Sequence, residues 1–359
     1  MSGPTRMIPH SRPSIEAADI RAATDVLHSR RLAQGGIVDQ FERGMAAYFG
    51  LPGGVAVTSG TAALEVALRV LGIGTHDEVL LPSYVCAAPL LAVQRVGAIP
   101  RLVDIDLDTF NIDPSAASRA VTSKTKALIV PHLFGLSAAL SDLHQLGVPI
   151  IEDCAQTLGA VGQGRSVGSV GIITVCSFYA TKPLCAGEGG MVLSRDESLL
   201  ERARRLREYD ETPSLYPWAT NLKMTDLHAA IGLAQLNRLG SFLERRSALA
   251  EEYRSALSGT PPIQPLVPSG HTHTYYRFVL RLPDLADQPD GLQDLIGRFE
   301  TQGLQCRKPV FRSLHRYLEI EGFPAAEEAE RTALSIPLFP ALTDEEVAKI
   351  LLAIRAEWS

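Results

Sequence analysis

The run S-F-Y-A-T-K-P-L-C-A-G-E-G-G, Ser177–Gly190, holds a single cation, Lys182, between an aromatic strand end and a Gly-rich turn. Taken singly, such a lysine is a snorkelling side chain, its stem on apolar neighbours and its amine in water. An amine held in apolar surroundings has another use, because its charged form is disfavoured and the neutral amine is a nucleophile and a base. Three other places offer it partners. In I-I-E-D-C-A-Q (Ile150–Gln156), Asp153 closes a strand of buried type. A carboxylate there is partly desolvated and needs a cation or an N–H donor, such as a protonated heterocyclic nitrogen. In V-T-S-G-T-A-A-L (Val57–Leu64), a small-residue turn opens a helix at Thr61. It exposes N–H groups at a positive helix end, a seat for phosphate, although a plain N-cap by Ser59 or Thr61 accounts for the same residues. Ser177 adds a hydroxyl one strand before the lysine.

A phosphate seat, a strand-end Asp, a Ser and a buried Lys are together the parts that hold pyridoxal 5′-phosphate. Lys182 then forms the imine with the cofactor and Asp153 keeps the pyridine nitrogen protonated. The ring can then take up the electron pair left when a Cα proton departs. The turn and Ser177 hold the phosphate. The offset of 29 residues from Asp153 to Lys182 suffices to leave one strand and exit later ones on the same sheet edge.

The elements that must place these residues are legible as alternating short apolar runs and amphipathic helices. Strands are expected at Val55–Thr58, Glu78–Pro82, up to Asp104, Ala127–His132, Val148–Asp153, Thr174–Phe178 and Met191–Ser194, with helices from Thr61, before Gly97 and over Leu140–Leu146. That alternation predicts an α/β fold, a mostly parallel sheet covered on both faces, with ligands where strands end. After Asp196 the pattern turns helical, with long helices expected at Asp226–Leu239 and Phe242–Leu257. Tyr275–Leu282 alternates like a half-buried strand within a smaller α+β unit. Two domains are therefore expected, residues 1–240 and 241–359.

The bulk properties narrow the class. The 359 residues are 46% hydrophobic and 21% charged, an ordinary globular balance. A net charge of -6 without a Lys/Arg-rich block argues against nucleic acid as partner. Five cysteines without C-x-x-C read as reduced thiols, and the N-terminus lacks the apolar core of a signal peptide. No run approaches the roughly 18 apolar residues that span a bilayer. A cytoplasmic protein with no membrane partner is expected, and no metal site stands out.

The sequence resembles the DegT/DnrJ/EryC1/StrS aminotransferases almost end to end, from about Pro13 to Trp358. The motifs that carry the resemblance occur in one order: S-G-T-A-A-L, H-D-E-V-L-L-P-S-Y, G-A-I-P-R-L-V-D-I-D, V-P-H-L-F-G, I-E-D-C-A-Q-T-L-G-A, S-F-Y-A-T-K with G-E-G-G, N-L-K-M-T-D-L-H-A-A-I-G-L-A-Q-L and L-S-I-P-L-F-P. The resemblance implies the type I aminotransferase fold. It also implies a pyridoxal-phosphate-dependent aminotransferase that moves an amino group from an amino acid, glutamate or glutamine, to a nucleotide-linked keto-sugar. A keto-cyclitol acceptor and a non-catalytic regulator on the same fold stay as alternatives. Retention of Lys182 and Asp153 speaks against the regulator, and Lys182 also speaks against the sugar-deoxygenating relatives, which replace that lysine with histidine.

Residue by residue, the resemblance makes Lys182 the imine-forming lysine, Asp153 the pyridinium partner and Gln156 a side chain near the ring oxygen. Gly60, Thr61, Ala62 and Ser177 fall on the phosphate contacts. Asn221 falls on an asparagine that reaches the phosphate in the neighbouring subunit, so a homodimer with shared active sites is implied. Either Tyr84 or Cys86 lies where the family places a residue over the cofactor ring, and spacing back from Gly97 favours Cys86. Tyr84, Glu188 and His315 are the candidate substrate contacts. The chain departs from the common pattern at Lys223, at R-E-Y-D (Arg207–Asp210) and at C-R-K-P-V-F-R-S-L-H-R-Y-L (Cys306–Leu318). The loops 212–218 and 307–317 are expected to set the acceptor.

Overall fold

A computed structural model describes residues 7–209 and 216–358. Seven strands form the main sheet: β1 (Gly53–Val57), β2 (Glu78–Pro82), β3 (Ile99–Val103), β4 (Thr125–Pro131), β5 (Ile150–Asp153), and, after a small hairpin of β6 (Val161–Gly162) and β7 (Arg165–Ser166), β8 (Ile173–Ser177) and β9 (Gly190–Ser194). Their order is β1-β9-β8-β5-β4-β2-β3. From β8 to β3 every neighbouring pair is parallel, and β9 runs antiparallel between β8 and β1.

The central strands are buried along their whole length because helices cover both faces, which is why they read as continuous Val/Ile/Leu runs. Successive side chains divide between the faces. Val55 and Val57 pack with Leu64, Leu68 and Leu200 on one side, while Ala56 joins Phe41, Met45 and Met191 on the other. A third cluster, with Leu80, Leu128 and Val130, fills the far end of the sheet.

The C-terminal part is smaller. β10 (Phe278–Arg281) and β11 (Ala333–Ile336) pair antiparallel. The helices Gly291–Thr301 and Asp344–Trp358 and the second half of Leu239–Ala256 pack around them. Ile8 also lies in this core and its backbone bridges Leu304, so the start of the chain joins the unit expected to begin at residue 241.

Two expected elements differ in extent. The helix predicted over Asp226–Leu239 stops at Leu236, and the next begins at Leu239 instead of Phe242. Arg238, at the break, is pulled out of helical backbone and ion-pairs with Glu16 and Asp19. The strand expected from Tyr275 begins only at Phe278. The Arg277 N–H goes to the Phe134 carbonyl, and the Tyr275 and Tyr276 carbonyls accept from Arg246.

Candidate active site

The sheet register gathers the predicted residues on one edge. Val57 pairs with Gly190, Gly190 with Ser177, Val175 with Asp153, and Asp153 with Pro131. The β1–helix turn, the end of β8, the end of β5 and the start of β9 are therefore neighbours. This is the rim where parallel sheets present their loops to ligands.

The turn expected to seat phosphate is built by close packing of small residues. Ser59 caps the helix Gly60–Val70, its Oγ accepting the Ala62 N–H at 3.1 Å. That spends the Ala62 amide on the cap. Gly60 and Thr61 lead the helix with N–H groups that have no carbonyl within it to bond, which leaves those two open to an anion. A Cβ on Gly60 would lie 2.7 Å from the Ser177 Cβ, and one on Gly190 would overlap the Ser59 carbonyl. Glycine at both places lets the turn close over Ser177.

Asp153 is buried at the end of β5, where Oδ1 accepts the Ala155 N–H at 3.0 Å. Among the described residues Oδ2 has no hydrogen-bond partner. Burial raises its carboxyl above the usual aspartate range, against the pull of the Ala155 N–H, Lys182 and His132. A buried carboxylate oxygen left open in this way fits a protonated ring nitrogen. Gln156 accepts the Phe134 N–H through Oε1 at 3.0 Å, which leaves its NH2 group to donate to a ring oxygen.

Lys182 is half-buried in the turn after β8, its N–H closing on the Tyr179 carbonyl at 2.8 Å. It shares a narrow crevice with Ser11, Ser14, Gln235, Phe242 and Arg246. Its Nζ stands 5.2 Å from the ring centroid of Tyr276. The Tyr276 hydroxyl lies 3.4 Å from the Thr181 Oγ and accepts from Arg277 Nη2 at 3.3 Å. Burial alone would raise this phenol, but Lys182, Arg277 and Arg246 outweigh it and bring it down to about 8.

Behind Asp153 lies a buried network. Glu152 accepts the N–H groups of Gly168 and Val170 at 2.7 Å, that of Gly171, and His132 Nε2 at 3.1 Å. His132 Nδ1 accepts the Ala138 N–H, so its proton sits on Nε2. Burial would raise the Glu152 carboxyl, yet His132 and the backbone donors hold it below its ordinary value. The ligand atoms of His132, Glu152 and Cys154 lie within 4.8 Å of one another. The nitrogens of His132 and both oxygens of Glu152 are already spent on each other and on backbone, so the cluster is a structural brace.

Two expected contacts are corrected. Tyr84 is fully buried, stacked on Phe110 at 6.0 Å, with its hydroxyl on the Ala329 carbonyl. It packs between sheet and C-terminal unit and cannot touch substrate or cofactor. Cys86, two residues on, is exposed. His315 is also fully covered, its Nδ1 against the Ser83 Oγ at 2.6 Å and its ring stacked on Phe323. It ties the C-terminal unit to the end of β2. Glu188 is exposed in its turn, between Gly187 and Gly189, both at positive φ. Asn221 is exposed beside the phosphate seat, since Leu222 takes the Thr58 N–H. Asp210 and residues 212–215 of the expected acceptor loop lie outside the described residues.

Sequence reading missed Tyr276, Thr181, Arg277 and the His132–Glu152 pair. His132 carried a signal, because V-P-H closes β4 on the same rim as I-E-D closes β5. Tyr276 carried none, being one of several aromatics in a plausible strand.

Comparison with known proteins identifies the family. Residues 13–355 match the DegT/DnrJ/EryC1/StrS aminotransferase family, and the chain belongs to it. It is a pyridoxal-phosphate-dependent aminotransferase with the type I fold. Among its relatives is the spore coat polysaccharide biosynthesis protein SpsC of Bacillus subtilis (strain 168), 32% identical over 97% of this chain and 96% of that protein. Another is the dTDP-3-amino-3,4,6-trideoxy-alpha-D-glucose transaminase of Streptomyces venezuelae, 34% identical over 95% and 93%. The solved PLP form of Spr1654 from Streptococcus pneumoniae, described as a putative sugar aminotransferase, superposes with a TM-score of 0.92 at 27% identity, covering 98% of each chain.

Proposed function

We propose that this enzyme transfers an amino group from an amino acid, glutamate or glutamine, to the keto group of a nucleotide-linked sugar. The observation that carries the reading is the single rim on which Lys182, the open oxygen of Asp153 and the Gly60–Ser177 seat converge. The named activity of the Streptomyces venezuelae relative supports the acceptor class.

Gly60, Thr61 and Ser177 would hold the phosphate of pyridoxal 5′-phosphate, with Asn221 supplied by the second subunit of a homodimer. Asp153 would hold the ring nitrogen protonated, Gln156 would donate to the ring oxygen, and Cys86 would line the ring face. When bound, the cofactor supplies the carbonyl that accepts the amino group and a ring that takes up an electron pair. Lys182 takes the proton from the donor Cα and later returns one to the acceptor carbon that receives nitrogen. Glu188, exposed at the rim, would meet the acceptor. Among the described residues no helix is long and apolar enough to cross a membrane, and a cytoplasmic enzyme fits this chemistry.

The test is spectroscopic. Purified protein given pyridoxal phosphate should show the lysine-bound cofactor band, lose it on adding glutamate or glutamine, and regain the aldehyde band with a nucleotide keto-sugar. Lys182→Ala should lose both the band and turnover. Full transaminase activity in that variant would overturn the reading, and recovery only with keto-cyclitols would overturn the acceptor class.

A further inference from the structure

At the free edge of the main sheet, two side chains stand where a neighbouring strand would be. β1 is an edge strand and pairs only with β9. An open edge leaves N–H and C=O groups that need partners. On that side the Ala56 N–H donates to Glu42 Oε1 at 2.7 Å, and the Ala56 carbonyl accepts from Arg207 Nη1 at 3.3 Å. The two side chains close on each other at 2.6 Å, Glu42 from the helix Gly36–Phe49 and Arg207 from the end of the helix Glu197–Arg207. Both are largely buried. Burial raises the Glu42 carboxyl, against the pull of Arg207 and the Ala56 N–H. Desolvation offsets much of the attraction in such a pair, so replacing it whole costs less stability than removing one partner.

What the pair fixes is the place of Arg207, and Arg207 holds a later segment of chain. Its carbonyl accepts the Leu222 N–H at 2.9 Å, and the Leu206 carbonyl accepts the Thr220 N–H at 3.1 Å. The Leu222 carbonyl in turn accepts the Thr58 N–H at 2.9 Å, and Lys223 bridges Val57 antiparallel. The edge of β1 is thus completed by side chains at Ala56 and by backbone at Thr58, directly before the Ser59–Gly60–Thr61 turn. Asn221 lies between these ties. Its Oδ1 accepts the Lys223 N–H at 3.3 Å, which leaves its NH2 group to donate to an anion. We propose that the Glu42–Arg207 pair is a positioning device for the phosphate seat: it sets where the Asn221 amide stands, and through that amide how tightly the cofactor phosphate is held. The inference rests on the proposed role of Asn221 and names what keeps that residue in place. Every protomer of a homodimer carries the pair, so it acts whichever subunit's seat Asn221 serves.

The experiment measures equilibrium binding of pyridoxal 5′-phosphate and of pyridoxal, which lacks the phosphate, to cofactor-stripped protein, read by the absorbance of the lysine-bound form. The variant Glu42→Gln with Arg207→Met removes both charges together. It should raise the Kd for pyridoxal phosphate about 10-fold, the low end for losing a hydrogen bond to a charged group, and leave the Kd for pyridoxal unchanged. Asn221→Ala should weaken pyridoxal phosphate by at least as much. Adding the pair variant to Asn221→Ala should weaken it no further, because the pair acts through that residue. Arg207→Lys, which keeps the charge opposite Glu42, should recover part of the affinity. If the pair variant does not fold, Arg207→Lys read against the same two ligands decides. Unchanged affinity for pyridoxal phosphate overturns the proposal. An equal fall for both ligands also overturns it, because the pair then only holds the fold together. Additive losses with Asn221→Ala overturn it as well, since the pair then reaches the phosphate by another route. Asn221→Ala with wild-type affinity for both ligands sinks the role of Asn221 itself, a result distinct from the others.

Discussion

Two buried tyrosines show how environment decides what one residue type does. Tyr84 sits among apolar neighbours, and burial drives its phenol well above the ordinary value. Tyr276 is as well buried, but Lys182, Arg277 and Arg246 face it and bring it down to about 8. The attraction of these cations must exceed the cost of burial for this to happen, so the phenol is an electrostatic probe of the site. In the cofactor-free protein one tyrosine should ionise near pH 8, seen as phenolate absorbance well below the range of ordinary tyrosines. Tyr276→Phe should delete that step and leave the rest of the titration intact. The same step persisting in Tyr276→Phe would show that the three cations do not act on this ring. A cation over an aromatic face contributes only about 0.5–2 kcal/mol, so Tyr276→Phe should keep Lys182 in place while removing the titration.

At the scale of elements, the site depends on braces that touch no ligand. Glu152 binds the Gly168–Gly171 turn to the end of β5 and to His132, whose backbone N–H donates to the Asp153 carbonyl. Glu152→Ala would leave three N–H groups and His132 unpaired in the interior. It should destabilise the protein in denaturant unfolding by about 1–3 kcal/mol or more, the range for leaving a buried donor unsatisfied. Because the folded carboxyl lies below its ordinary value of 4.5, its contribution is complete above that pH and is lost as pH falls through the lower, folded value. The variant should therefore show a flatter acid limb of stability than wild type, and parallel limbs would contradict the assignment. The strands and the Asp153–Lys182–Ser177 set were legible because parallel strands buried on both faces are apolar throughout, so a charged residue at their ends stands out. What was not legible came from tertiary contacts that override local pattern. Tyr275–Arg277 reads as strand, yet Arg246 and Phe134 capture its backbone and turn Tyr276 to the lysine. Tyr84 and His315 read as site residues by position, yet they seal the joint between the sheet and the C-terminal unit. The break at Arg238 follows from ion pairs to Glu16 and Asp19, more than 200 residues away in sequence, which no local window contains.

At the scale of the whole molecule, the open question is which chain supplies Asn221. The resemblance assigns it to the phosphate of the neighbouring subunit. In the single chain it stands exposed next to its own seat, with Leu222 on Thr58 and its Oδ1 accepting the Lys223 N–H at 3.3 Å. Large apolar side chains left open, among them Ile20, Leu27, Leu32 and Phe311, are consistent with further surface being covered on assembly. The two arrangements give opposite results in a mixed dimer. Lys182→Ala removes the amine from one protomer, and Asn221→Ala removes the amide from the other. If Asn221 acts across the interface, the mixed dimer has one site with both Lys182 and Asn221 and one site lacking both. Activity per dimer should then reach about half of wild type, with wild-type cofactor affinity at the working site. If Asn221 serves its own chain, the only site with Lys182 lacks Asn221, and the mixed dimer should show no more than half the activity of the Asn221→Ala homodimer, with its weaker cofactor retention. Random reassembly of equal amounts leaves about half the dimers mixed, and differently tagged protomers allow that half to be isolated before the absorbance and half-reaction are measured. Recovery of wild-type cofactor retention in the purified mixed dimer is the expected outcome, and Asn221→Ala-like retention would place the residue in its own site and remove the reason for calling the sites shared.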